Sequence, residues 1–316
     1  MTITSLFHAH STASEVVAGH DLHGKTILIT GGSTGVGYTT AQTLLSAHAE
    51  VIIAGRSQAN GEQAVQALQA DYPGSLVHFL PLDLGSLAAV RQAAEYFFAR
   101  WNKLDVLINN AAIAAAPLSY TLDGFEQQFA TNFLGHFLFT KLLLPALCKA
   151  APARVVILTS GTHRASDIHF DDIQYRHRPY DKWEAYGQSK TAEALLAVAL
   201  TRHFGAQGIM ANAVNPGGIR TGLQDRYLTP EEIRARYYDE AGNLLPSFKT
   251  PEQGAATTVW ASVAPELEGV GGLYLEDCQQ AVLYNPEIST LTGYMPYALD
   301  ADHAEQLWTI AEQLVG

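Results

Sequence analysis

Short apolar runs rich in β-branched residues recur along the chain at 26–30, 50–54, 76–80, 105–109, 154–159, 209–214 and 271–275. Bounded by turn residues, they read as seven strands buried on both faces. Helical periodicity falls between them: after Gly37 through 48, then 87–101, 122–148 with Pro145 a candidate break, 181–204, and 300–315. The last places Leu307, Ile310, Ala311 and Leu314 on one face, and 132–139 is apolar nearly all round and so expected to be buried. Thr250, Pro251 and Gln253 spell a helix start, with the threonine as N-cap and proline at the first helical position. Strand–helix alternation predicts an α/β fold: a doubly wound parallel sheet with helices on both faces, in three layers. Residues 1–22 read as an arm carrying at most a short helix at 11–19, and 23–316 as one domain. Residues 222–249, rich in tyrosine and charge, interrupt the alternation and read as an insertion over the strand ends, a candidate lid.

In such a sheet ligands bind beyond the carboxyl ends of the strands. The loop Gly31-Gly32-Ser33-Thr34-Gly35-Val36-Gly37, residue Arg56, Asp83, Asn109, Ser160 and Pro216 all fall there. A strand, a glycine loop and a helix make a dinucleotide site of Rossmann type, the glycines admitting a pyrophosphate to the helix N-terminus. The second strand ends in Gly55-Arg56, where an acidic residue would hold the 2′-hydroxyl of NAD(H). A guanidinium suits a 2′-phosphate, and Ser33 and Ser57 offer hydroxyls, so NADP(H) is expected over NAD(H). Tyr186 and Lys190 stand one helical turn apart, so an ammonium beside the phenol favours phenolate and pulls its pKa toward working pH.

Hydrophobic residues make up 47% and charged residues 16%, which suits a well-buried sheet protein. A net charge of −12 argues against nucleic acid or an anionic membrane as partner. Cys148 and Cys278 stand apart, and twelve scattered histidines show no ligand spacing, so neither a disulfide framework nor a metal site is expected. No apolar run of membrane-spanning length and no secretory leader stand out, and a cytoplasmic location is expected.

Taken together these motifs resemble the short-chain dehydrogenase/reductase family, from about residue 25 to 221. Thr30-Gly31, Gly35 and Gly37 match its ordinary reductase branch, Asn109-Asn110-Ala111-Ala112 its fourth strand end, with Ala112 where the family usually has glycine. The long 161–179 loop and Ser160-Gly161-Thr162-His163-Arg164 look like the retinol-dehydrogenase, WW-domain-oxidoreductase and chloroplast-translocon-associated relatives. The resemblance implies a catalytic set of Asn132, Ser160, Tyr186 and Lys190. It implies a cofactor set of Gly31, Ser33, Thr34, Gly35, Val36, Gly37, Arg56, Ser57, Asp83, Leu84, Asn110, Ala111, Ala112, Tyr186, Lys190, Pro216, Gly217, Ile219 and Thr221. Tyr186 is then the general acid or base, Lys190 its pKa-lowering and ribose-binding neighbour, Ser160 the holder of the carbonyl oxygen, and Asn132 the holder of a relay water. Wall candidates Ala114, His163, Tyr175, Trp183 and Tyr227 suggest a bulky hydrophobic aldehyde, ketone or alcohol. Reduction of a carbon–carbon double bond and a silent nucleotide-binding scaffold are the rival functions. The family also implies a homodimer or homotetramer through 122–148 and 181–204, with a monomer left open.

Overall fold

The computed structural model describes residues 2–316. Its strands are β1 (Thr26–Thr30), β2 (Glu50–Gly55), β3 (Val77–Pro81), β4 (Val106–Asn109), β5 (Ala153–Leu158), β6 (Ile209–Asn215), β7 (Tyr274–Glu276) and β8 (Gln279–Gln280). They form one sheet in the order β3-β2-β1-β4-β5-β6-β7-β8. β1 to β7 pair in parallel, as the alternation predicts. The eighth strand departs from the expected seven. It is an antiparallel edge of two glutamines, reached through Asp277 and Cys278, which both hold positive φ (51° and 57°). A two-residue hairpin loop of this hand needs positive φ at both positions. Neither the turn nor the edge carries an apolar pattern by which it can be read.

The helices are α1 (Ala13–Val17), α2 (Gly35–Ser46), α3 (Gln58–Asp71), α4 (Leu87–Phe98), α5 (Gln127–Phe129), α6 (Gly135–Ala150), α7 (Lys182–Phe204), α8 (Pro230–Tyr237), α9 (Pro251–Val263) and α10 (Ala301–Val315). One apolar core joins α4, α6, α7 and α10 to one face of the sheet, and a second joins α1, α2, α3 and α9 to the other. Fully buried side chains such as Phe97 and Leu44 each contribute about 1.5–3 kcal/mol through loss of apolar surface. α3 has little apolar signal, burying only Gly61, Ala64 and Leu68.

The helix expected at 122–148 starts later, because Glu126 caps it, accepting from Gln128 N and Phe129 N at 2.9 and 2.7 Å. It runs from Gln127 to Ala150 with a π-helical turn at Ala130–Leu134. Pro145 does not end it; Leu143, Ala146 and Leu147 are sunk in the core and hold the turn that proline destabilises. By length and composition this 24-residue helix passes for a membrane span, contrary to expectation. Its most apolar stretch is 67% buried within the fold, so its apolarity serves the core.

Two further expectations change. Residues 1–22 are tied down: Gln280 N donates to Ile3 O at 2.9 Å, Ser5 Oγ to Cys278 O at 2.7 Å, and α1 buries Ala13, Val16 and Val17 beside α2 and α9. The α6–α7 face expected to pair subunits is crossed by α10. Trp308 stacks on His203 at 4.5 Å and meets Phe137 edge-on at 4.9 Å, and Glu305 pairs with His203 and Arg202.

Candidate active site

Strand order reverses between β1 and β4, and a cleft of about 1240 Å³ opens beyond the carboxyl ends there. Gly31, Ser33, Thr34, Gly35, Val36, Gly37, Arg56, Ser57, Leu84, Asn110, Ala111, Ala112, Ser160, Tyr186, Lys190, Pro216, Gly217, Ile219 and Thr221 all line it. The sequence-derived set is thus brought together with two exceptions. Asp83 lies outside the lining, its carboxylate accepting from Gly85 N at 3.0 Å. Asn132 lies behind the wall.

The glycine loop is a cradle that only small residues permit. Gly31 holds φ 68°, and a Cβ on Gly37 would stand 2.4 Å from Gly31 O and 2.5 Å from Asn110 Nδ2. Asn110 fastens the loop to β4, donating to Thr30 O at 2.7 Å. Thr34, the N-cap of α2, makes no side-chain cap bond, so the first-turn amides of that helix face the cleft uncapped by it. Such a terminus suits a phosphate. At the far end Arg56 is exposed, and Ser57 caps α3. The Ser33 hydroxyl lies 3.7 Å from where a Cβ on Gly55 would sit.

Toward the other end, α7 presents Tyr186 and Lys190 to the cleft floor. Lys190 is 2% exposed; its Nζ lies 5.5 Å from the centre of the Tyr186 ring and donates to Leu158 O at 2.9 Å. Burial pushes the Tyr186 phenol above its ordinary value, while Lys190, Ser160 and Arg236 pull it back. Lys190 lowers the phenol as its spacing predicts, while desolvation of the phenolate in this buried pocket acts the other way and is the larger influence. The Ser160 hydroxyl, whose nearness pulls the phenol down, accepts from the Thr162 amide at 3.1 Å and donates to Thr162 Oγ1 at 3.2 Å.

Asn132 sits in the π-turn, fully buried. Its amide accepts from Ile113 N at 2.9 Å and donates to Ile113 O and Ser189 Oγ, each at 2.9 Å. It therefore clamps the strand-end loop to α7. Its own carbonyl accepts from His136 Nδ1 at 2.7 Å.

Of the wall candidates, Ala114 and Trp183 line the cleft, whereas His163, Tyr175 and Tyr227 do not. His163 is buried behind Ser160: its Nδ1 donates to Ser160 O at 2.8 Å and its Nε2 accepts Met295 N at 3.1 Å. Burial pushes this imidazole down to about 4, so it is a neutral brace for the serine loop. Tyr274 on β7 supports the same carbonyl at 3.2 Å. Tyr175 is sealed against Tyr180 and Arg178.

From the 222–249 segment, Leu223, Arg226, Arg236, Tyr237 and Phe248 line the cleft. Tyr237 packs on Phe248 at 4.6 Å, Arg236 covers Trp183 at 4.3 Å, and Lys182 pairs with Glu232 at 2.7 Å. A second lip was not legible in the sequence. Ser289, Leu291 and Thr292 line the opposite rim, held by Arg164 on the carbonyls of Thr290, Leu291 and Gly293 at 3.1–3.3 Å. Nor does anything mark Ala9 and His10 of the N-terminal arm, which also reach the cleft. Where no ligand set was expected, the exposed Asp21, His23 and His48 form the one candidate metal cluster among the described residues.

A family model described as short chain dehydrogenase matches residues 25–232. A probable oxidoreductase of Streptomyces lividans is 43% identical over 91% of this chain and 96% of its own length. Human retinol dehydrogenase 14 is 37% identical, over 93% of this chain and 87% of its own. The solved structure of Pseudomonas aeruginosa RhlG in its NADP active-site complex superposes with a TM-score of 0.62 at 29% identity, covering 81% of this chain and 95% of that one. The chain belongs to the short-chain dehydrogenase family of oxidoreductases, with retinol-dehydrogenase-like relatives.

Proposed function

We propose that this oxidoreductase uses NADP(H) to interconvert a carbonyl and an alcohol on a bulky apolar substrate. One observation carries the reading: a buried phenol, an ammonium and a serine hydroxyl converge in one cleft whose far end offers an arginine and two serines. When bound, the nicotinamide supplies or accepts the hydride. Lys190 and the amides of the glycine cradle would hold the ribose and pyrophosphate, and Arg56, Ser33 and Ser57 the 2′-phosphate. Ser160 orients the substrate oxygen, and its hydroxyl stabilises the charge that develops there. Tyr186, held above its ordinary value by burial, carries its proton at neutral pH and donates it to that oxygen. In the oxidising direction the same phenol must first lose that proton, which favours reduction near neutrality.

Trp183, Tyr237, Phe248, Leu223 and Leu291 around the mouth favour an apolar substrate, as does the retinol dehydrogenase among the relatives. Cys148 is exposed and Cys278 buried, and neither lines the cleft, so no cysteine is placed for double-bond reduction. The test is cofactor oxidation by the purified protein over a panel of aldehydes and ketones, with NADPH and NADH in parallel. NADPH turnover on hydrophobic carbonyls is the expected result; turnover with NADH alone, or with none of them, refutes the reading. In the Arg56→Glu variant the KM for NADPH rises roughly 10- to 100-fold, the worth of a hydrogen-bonded charge pair, while that for NADH is unchanged or falls. An unchanged NADPH KM would remove Arg56 from the phosphate site.

A further inference from the structure

The mechanism above leaves one buried acid unused. Glu193 stands one turn beyond Lys190 on α7 and is fully buried. Its Oε2 lies 2.7 Å from Lys190 Nζ, and the two side chains are 0% and 2% exposed. Among the described residues no N–H or O–H donates a well-aligned hydrogen bond to either carboxylate oxygen, so the contact with Lys190 is one of charge and proximity. His136 Nδ1 stands 3.8 Å from Oε1, but its proton goes to Asn132 O. Its Nε2 is taken by Thr30 Oγ1 at 2.8 Å, and burial pushes the ring down to about 3. The imidazole is therefore neutral and supplies no charge to Glu193. A carboxylate placed here without a partner is costly, and removing one member of a buried ion pair usually leaves the other exposed to that cost. Lys190 is the partner.

We infer that Glu193 is the counter-charge of the Tyr186–Lys190 pair, a positioning residue that holds the ammonium and weakens its pull on the phenol. The inference rests on reading Tyr186 as the proton donor. A lone ammonium beside Tyr186 favours phenolate; a carboxylate on its far side, seven residues and two helical turns from the phenol, cancels part of that field. Glu193 pushes Tyr186 up while Lys190 pulls it down, and Glu193 also stabilises the charged lysine. Burial pushes the Glu193 carboxyl itself up to about 8, and the ammonium 2.7 Å away is what draws it back toward the carboxylate. The other groups facing this set are Arg236 and Tyr237 from the insertion, Tyr274 from β7 and the neutral His136 from α6. Of these only Arg236 is charged, and it opposes Glu193. Burial already keeps the phenol protonated; Glu193 adds to it, raising the pH at which the proton is lost and so extending the reductive limb upward.

The test is an ultraviolet difference titration of phenolate absorbance in protein saturated with NADP⁺, with Tyr186→Phe as the blank that isolates the Tyr186 signal. In Glu193→Gln the ammonium is unopposed, so the Tyr186 midpoint falls by about one pH unit. Glu193→Asp, which keeps the charge, stays nearer wild type. The pH profiles move the same way: the reductive limb falls, and the oxidative limb rises, at lower pH. An unmoved midpoint in a folded Glu193→Gln or Glu193→Asn protein overturns the inference. Failure of both neutral variants to fold does so too, because Glu193 then serves only the core. If Tyr186→Phe instead retains full activity, the proton-donor reading itself has failed, whatever Glu193 does.

Discussion

Tyr186→Phe loses about 10²–10⁴-fold in kcat with NADPH and any active carbonyl, the usual worth of a positioned general acid. The phenol lines the cleft beside Ser160, and burial keeps it protonated near pH 7. The ring is 7% exposed and packs against Trp183 at 6.3 Å, so phenylalanine fills the same space without its hydroxyl. The fold and cofactor site should therefore survive, and the KM for NADPH should stay within a few-fold of wild type. A fall in kcat with unchanged cofactor binding marks a group that acts in the transition state. Unaltered kcat would place the proton donor elsewhere.

Gly37→Ala carries the second large effect, on cofactor binding. The added Cβ would stand 2.4 Å from Gly31 O and 2.5 Å from Asn110 Nδ2, and neither is a flexible side-chain end free to swing away. Asn110 is pinned by Thr30 O, and Gly31 sits at positive φ between β1 and α2. The cradle must open to admit the methyl, at a cost of about 1–3 kcal/mol from overpacking. Because the displaced atoms are those lining the cleft, NADPH affinity falls roughly 10- to 100-fold and thermal stability drops with it. Gly205→Ala is the control. Its Cβ meets nothing closer than Met210 Cε at 3.7 Å and its φ is −59°, so stability stays level or rises slightly. Equal NADPH affinity in Gly37→Ala and wild type, by fluorescence titration, would show that the loop does not cradle the cofactor.

What was legible in the chain follows from local chemistry. β1 to β7 each carry a short apolar run because both faces of the sheet are covered, so period and length alone reveal them. The glycine loop, Arg56, Ser160, Tyr186 and Lys190 stand at strand ends or on one helix face, where parallel topology dictates that they meet. The sequence by itself therefore determined the parallel strands β1 to β7, the long apolar-faced helices between them, though not α3, and the cleft that gathers these side chains. Tertiary structure decided what depends on partners distant in the chain. β8 exists because the Asp277–Cys278 turn folds Gln279–Gln280 back onto β7, and Gln280 then meets Ile3, 277 residues away, which ties down the arm that looked loose. α10 covers the face expected to pair subunits because Trp308 finds Phe137 and His203 there. His163 turned from a wall residue into a brace because Tyr274 and Met295 enclose it. The sign of the shift at Tyr186 belongs to this group as well. Spacing shows that Lys190 is near, but only burial, with Glu193 behind the ammonium, decides that the phenol keeps its proton.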